Sequence, residues 1–212
     1  MPALAKICGL STPETVDVAV SNGVGHIGLM FFAPSPRNLA LGQAKALVAR
    51  IPDHVGRVGV FVDPDDALVD AAIAAGNLTT LQLHKVTPAR AAALRNRTGR
   101  DIWATVAVRA RADLNSARAF DGAADRILYD AKTPEGSALP GGMGVRFDWA
   151  LLDGFRHPLP WALSGGLDAT NVGEAIALTR AEVVDVSSGV ESAPGIKDMD
   201  KIAAFLKACA AS

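Results

Sequence analysis

Short apolar runs, many of them β-branched, alternate with Ala-rich segments of helical spacing along the whole chain. The strand-like runs are residues 5–8 ("AKIC"), 26–31 ("HIGLMF"), 57–62 ("RVGVFV"), 79–84 ("TTLQLH"), 101–108 ("DIWATVAV"), 125–130 ("DRILYD"), 160–164 ("PWALS") and 183–188 ("VVDVSS"). The spacing predicts helices near 12–22, 41–50, 65–75, 87–98, 114–120, 148–153, 169–179 and 198–210. Capping oxygens or early prolines mark several starts: Ser11-Thr12-Pro13-Glu14, Asp63-Pro64, Thr87-Pro88 and Asp168. Eight strand–helix units predict an α/β fold, a (β/α)8 TIM barrel with residues 1–212 as a single domain. The length of 212 residues falls at the lean end of that architecture. An open doubly wound sheet shares the alternation, but eight strands favour closure and no GxGxxG follows the first strand.

Composition narrows the function classes. Half of the residues are hydrophobic, enough for one buried core. A net charge of -1 with mixed signs lacks the basic footprint of a nucleic-acid binder. We expect no signal peptide and no membrane span. The two cysteines, Cys8 and Cys209, stand at opposite ends and make no disulfide scaffold, so a reducing cytoplasm is the expected compartment. The scarce histidines form no metal motif, and no metal is expected.

In a barrel of this type chemistry sits at the C-terminal ends of the strands. Cys8, Arg37, His84, Arg109, Asp130, "SGGL" (164–167) and "SSGVE" (187–191) fall there. Gly165, Gly166 and Gly189, with the Ser188 hydroxyl, suit a phosphate held by backbone N–H groups after strands seven and eight. The alternative is that these glycines only turn tight corners. Free cysteine is commonly plain core, but strand parity places Lys6 and Cys8 together on the inner face. A lysine there needs a partner, and Asp185 on the neighbouring eighth strand is the expected one. Such a cation beneath Cys8 predicts a lowered thiol pKa. Asp130 reads either as a cap or as an acid or base across the barrel from Cys8. Arg37, in a loop stiffened by Pro34 and Pro36, reads either as a solvated surface residue or as a bidentate fork for a carboxylate. The "AKTPEGSALPGGMGVRF" stretch (131–147) predicts a long loop able to close over a ligand.

The segments "KICGLST", "GLMFFAPSPRNL", "LQLH", "YDAK…GGMGVRFDW", "LSGGLDATNV" and "VDVSSGVESAPGIKD" resemble, in order and spacing, the phosphoribosylanthranilate isomerases of tryptophan biosynthesis. The likeness runs from Lys6 to about Lys207. It implies a small-molecule phosphorylated substrate, N-(5-phosphoribosyl)anthranilate, and an Amadori rearrangement to the carboxyphenylamino deoxyribulose phosphate without metal or organic cofactor. It implies Cys8 as general base and Asp130 as general acid. Arg37 would lie near the anthranilate carboxylate, with Gly165, Gly166, Ser188 and Gly189 around the phosphate. Lys85 departs from the family's frequent glycine after "QLH", which would reshape that loop or bring a charge toward the substrate. His84 is expected to be site wall. Trp103, Trp149 and Trp161 are expected between helices and barrel, and Cys209 in packing or at the surface. Other phosphate-binding barrel enzymes and a non-catalytic phosphate-binding barrel are the competing readings, and the sequence leaves monomer or homodimer open.

Overall fold

The computed structural model describes residues 3–134, 136, 141–142 and 144–212. Eight parallel strands close into a barrel: β1 (Leu4–Cys8), β2 (His26–Phe31), β3 (Gly56–Val62), β4 (Thr80–His84), β5 (Asp101–Val108), β6 (Arg126–Ala131), β7 (Trp161–Leu163) and β8 (Val183–Val186). Closure is made by β8 pairing with β1, in a register that sets Lys6 beside Asp185. The α-helices are α1 (Pro13–Ser21), α2 (Leu41–Val48), α3 (Asp66–Gly76), α4 (Pro88–Thr98), α5 (Val172–Thr179) and α6 (Met199–Ala210). A two-stranded antiparallel hairpin, β9 (Glu191–Ala193) and β10 (Ile196–Lys197), follows β8 and was not foreseen. Among the described residues no helix is long and apolar enough to cross a membrane.

Two expected helices take a tighter form. Residues Arg111–Phe120 and Trp149–Leu152 are 3-10 helices. Their buried residues explain why: Leu114, Ala117 and Phe120, and likewise Trp149 and Leu152, recur every three positions. A three-residue repeat stays on one face only when there are three residues per turn.

Two expected caps also differ. Thr12 and Thr87 cap α1 and α4 as expected, accepting from the amides of Thr15 and Arg90. The cap of α3 is Asp65, which accepts from the Leu68 amide at 2.8 Å. Asp63 instead stands outside that helix with φ +43. Asp168 does not start α5; its carboxylate accepts from the amide and hydroxyl of Thr170 in a turn, and the helix begins at Val172.

Strand parity divides the core. Ala5, Ile7, Ile27, Leu29, Leu81 and Leu83 pack outward with the helices. Cys8, Val58 and Val60 form a separate cluster on the inner face. Trp103, Leu128, Ala162 and Val183 form another. Trp103 pairs in register with Gln82, which faces the cavity, so this tryptophan fills the barrel rather than the helix layer expected for it. Trp149 and Trp161 belong to the outer core, and Cys209 is buried with it.

Candidate active site

The C-terminal ends of the strands surround a cavity that opens to solvent. Cys8, Arg37, His84, Asp130, Gly165, Gly166 and Ser188 line it, with Gln82, Ser164 and Asp185 deeper in the wall. Of the expected residues, Gly189 and Arg109 are not on its surface. A Cβ on Gly189 would stand 1.9 Å from the Leu167 carbonyl oxygen, so close packing of two loops fixes this glycine.

The floor is ionic. The Lys6 ammonium donates to Asp185 Oδ1 at 2.7 Å, and the Ser164 hydroxyl donates to Asp185 Oδ2 at 3.1 Å. Burial alone would pull the Lys6 pKa down, but the Asp185 carboxylate and Cys8 more than offset it and the net shift is upward. Gly28 makes room for this arrangement: a Cβ there would lie 2.9 Å from Cys8 Sγ and 3.2 Å from Lys6 Nζ. A glycine inside the strand run "HIGLMF" was the available signal for that close approach.

The Cys8 expectation is corrected in sign. Burial raises its pKa above the ordinary thiol value, and the opposing pull of Lys6 and Lys197 does not reverse this. The cation beneath the thiol is where it was expected, but desolvation outweighs it. At Asp130 burial, then the charge of Asp185, push the carboxyl's pKa up to about 7. Its Oδ1 accepts from the Ala131 amide at 2.9 Å. Gly141 covers it so closely that a Cβ would stand 2.4 Å from Oδ2. Gly141 and Gly142 thus place part of the 131–147 loop over the site, while 135, 137–140 and 143 lie outside the described residues.

Arg37 is buried and already gripped. Its Nε donates to Glu191 Oε1 at 2.7 Å and its Nη2 to Glu191 Oε2 at 2.8 Å. Nη2 also donates to the Gly142 carbonyl at 2.9 Å. The bidentate fork expected to face a substrate is closed on Glu191, and among the described residues Nη1 alone is left without an acceptor. Glu191 sits on the hairpin that sequence reasoning missed. It also accepts from Lys197 Nζ at 2.8 Å. Burial raises the Glu191 pKa, but hydrogen bonds from Arg37 and the nearby Lys197 charge bring it below its ordinary value. Lys197 reaches on to the Ser187 carbonyl at 2.8 Å, and the Ser187 hydroxyl donates to the Cys8 carbonyl at 3.2 Å. No local motif announced this network, because its members are brought together only by barrel closure.

Gly165 and Gly166 adopt φ +91 and +67, a region that favours glycine. Among the described residues no backbone carbonyl accepts their amides, which leaves both N–H groups for an anion. His84 is a wall residue, as expected, and burial lowers its pKa to about 4. Lys85 holds φ +55 and does not line the cavity. A φ of that sign is left-handed backbone, which favours glycine. Among the described residues no cluster of three His, Cys, Asp or Glu side chains could hold a metal ion.

Comparison with known proteins gives a concordant result. Residues 5–208 match the family model for N-(5'-phosphoribosyl)anthranilate (PRA) isomerase. The N-(5'-phosphoribosyl)anthranilate isomerase of Zymomonas mobilis subsp. pomaceae is 54% identical over 210 residues, 98% of each chain. The crystal structure of phosphoribosyl anthranilate isomerase from Thermotoga maritima superposes with a TM-score of 0.89 at 32% identity, covering 99% of this chain and 100% of that one. A phosphoribosyl anthranilate isomerase in complex with reduced 1-(o-carboxyphenylamino)-1-deoxyribulose 5-phosphate gives 0.86 at 29% identity, with the same coverage.

Proposed function

The chain belongs to the N-(5'-phosphoribosyl)anthranilate isomerase family, and we propose that Cys8 and Asp130 are the base and acid with which it performs that isomerisation. The enzyme converts N-(5-phosphoribosyl)anthranilate to 1-(2-carboxyphenylamino)-1-deoxyribulose 5-phosphate, a step of tryptophan biosynthesis. Ring opening requires a proton on the furanose oxygen as the C1–O bond breaks. Burial, then the charge of Asp185, push the Asp130 pKa up to about 7, so the carboxyl holds that proton at a pH where an ordinary carboxylate has lost it. The bond electrons leave with oxygen, and the substrate nitrogen becomes the iminium of a Schiff base. The Cys8 thiolate then removes the proton on C2, the C–H electrons form the C1–C2 double bond, and the iminium is neutralised. The resulting enol becomes the ketone. In that last step the hydroxyl loses its proton and C1 gains one. Asp130 has given the substrate one proton and Cys8 has taken one, so the substrate's composition is unchanged, and proton exchange with water returns both groups to their starting forms.

The observation that carries this reading is a buried carboxyl and a buried thiol in one cavity, the thiol lying over the Lys6 ammonium, with burial raising the carboxyl's pKa. A site that only held phosphate would need neither. Gly165 and Gly166 amides with the Ser188 hydroxyl receive the phosphate, and Gly189 keeps that loop close-packed. Arg37 offers Nη1 to the anthranilate carboxylate while Glu191 holds the rest of the guanidinium still. We place the enzyme in the cytoplasm, with a small phosphorylated substrate and no nucleic-acid partner.

The test is turnover of phosphoribosylanthranilate generated in place from anthranilate and phosphoribosyl pyrophosphate. Cys8→Ala and Asp130→Asn should each lower kcat by at least about 100-fold, the scale for losing a general base or acid. Near-normal turnover in either variant removes that residue from the chemistry.

A further inference from the structure

Two buried cations share one carboxylate at the β9–β10 hairpin. Arg37 and Lys197 meet Glu191 at 2.7 and 2.8 Å, and the three side chains are 4%, 1% and 4% exposed. Their charges sum to a single positive charge held out of water. Such a charge is costly unless an anion meets it. The other charged groups nearby are matched one to one. Lys6 has Asp185. At the start of α6, Lys201 reaches the Glu191 carbonyl at 2.7 Å, and Asp198 accepts from the Lys201 amide.

The surplus charge has two ends. At one end Arg37 keeps Nη1 for a substrate carboxylate. At the other, Lys197 Nζ donates to the Ser187 carbonyl at 2.8 Å and approaches the Ser187 hydroxyl at 3.3 Å. That hydroxyl donates to the Cys8 carbonyl at 3.2 Å, so two hydrogen bonds join the ammonium to the backbone of the thiol. Besides Lys197, the charged and titratable side chains around Cys8 are Lys6 and Asp185 in the floor, with Arg37, His84 and Asp130 in the cavity wall. Asp185 is spent on Lys6, and His84 is neutral. Cys8 is the group linked to Lys197 that ionises to an anion. Burial and then Asp185 raise the Cys8 pKa, and Lys6 and Lys197 oppose them. Burial also holds Lys197 below its ordinary value in spite of Glu191, whereas the matched Lys6 is raised.

We propose that Lys197 is a positioning residue for the base: fixed in the hairpin by Glu191, it supplies the positive charge that the Cys8 thiolate balances when it forms. The inference rests on the isomerase reading given above. Lys197 touches no reacting atom and exchanges no proton. It lies outside the cavity, and the hairpin thereby acts on the base from behind the cavity wall.

The test reads the thiol without substrate. Ultraviolet thiolate absorbance is titrated with pH, each protein read against its own Cys8→Ala version so that Tyr129 and Cys209 cancel. Lys197→Gln removes the charge and strands no other, because Arg37 still neutralises Glu191. Its Cys8 midpoint should lie about 1 pH unit above that of the wild type, a tenfold smaller thiolate fraction at a given pH. Lys197→Arg keeps the charge in a bulkier side chain and should hold the wild-type midpoint. Lys197→Met, also neutral, serves if the glutamine variant does not fold. The falling limb of kcat/KM should move with the thiol midpoint, which a loss of packing alone would not cause. An unmoved midpoint in the neutral variants would overturn the proposal. So would an arginine variant displaced as far as the neutral ones, since shape rather than charge would then matter. A thiol midpoint that moves while the falling limb stays would remove Cys8 as the base and overturn the isomerase reading, leaving the charge relation between Lys197 and Cys8.

Discussion

Lys6 and Asp185 meet inside the barrel, ammonium to carboxylate at 2.7 Å, with 0% and 5% of their side chains exposed. The contact joins the first strand to the last and lies beneath the Cys8 thiol. Breaking a buried pair by removing one partner strands the other charge and costs about 3–5 kcal/mol. Lys6→Met should therefore lower unfolding stability by about that amount in urea titration. The double variant Lys6→Met/Asp185→Leu should recover most of the loss, because two apolar groups can replace a buried pair. Its turnover should stay low, since Cys8 has lost the cation that favours its thiolate. A double variant as active as the wild type would separate Lys6 from the chemistry.

The two proton-transfer groups dictate the pH profile. Asp130 is raised to about 7, and Cys8 is raised above the ordinary thiol value. The reactive form needs Asp130 protonated and Cys8 ionised. After one proton is lost, most molecules carry the charge on Asp130, and the reactive form is a fixed minority of that population. The population grows as pH rises through about 7 and shrinks again above the thiol range. We expect kcat/KM to rise with a midpoint near 7, to hold a plateau, and to fall only at alkaline pH. The rising limb thus belongs to the acid and the falling limb to the base. A rising limb in the ordinary carboxylate range near 4 would contradict the environment of Asp130.

Glu191 neutralises two buried cations at once, Arg37 and Lys197. Glu191→Gln keeps the shape and removes the charge. We expect a stability loss of about 3–5 kcal/mol, by the same penalty for unpaired buried charge. The KM for phosphoribosylanthranilate should rise more than kcat falls, because Arg37 loses its brace but the proton-transfer pair is untouched. An unchanged KM in steady-state kinetics would show that Arg37 does not depend on the hairpin.

Lys85 occupies left-handed backbone at φ +55, where a side chain costs about 1–2 kcal/mol. Lys85→Gly relieves that strain but adds freedom to the unfolded chain. The balance should favour the variant by about 0.5–1 kcal/mol, a rise in Tm of about 1–4 °C for a chain of this size. Thermal unfolding checks it, and a fall in Tm would mean that the lysine side chain contributes a compensating contact.

Much of the fold was legible in the sequence because hydrophobic period and strand count are local properties that add up along the chain. Parity placed Lys6 and Cys8 inward, and barrel closure then named Asp185. The failures have local physical causes. Asp63 and Asp65 both offer a capping oxygen within three positions, and only the Leu68 amide decides between them. A spacing of three in "LNSARAF" passes for α-helical until the whole run is seen to repeat it. In the site, residue identity showed which groups were present but not which would be spent on one another. Arg37 met Glu191 across 154 residues, and burial outweighed the Lys6 charge at Cys8.

The β1–β8 closure also sets an order of events during synthesis. Lys6 leaves the ribosome first, and its counter-charge follows 179 residues later. At about 5–20 residues per second, that interval is roughly 9–36 s. For all of it, the first strand carries an ammonium that no neighbouring strand can yet neutralise. Burying β1 early would leave that charge uncompensated, which disfavours any state that packs the first strand before the last is present. The same contact that joins the first strand to the last thus sets a charge penalty on closing the barrel without β8.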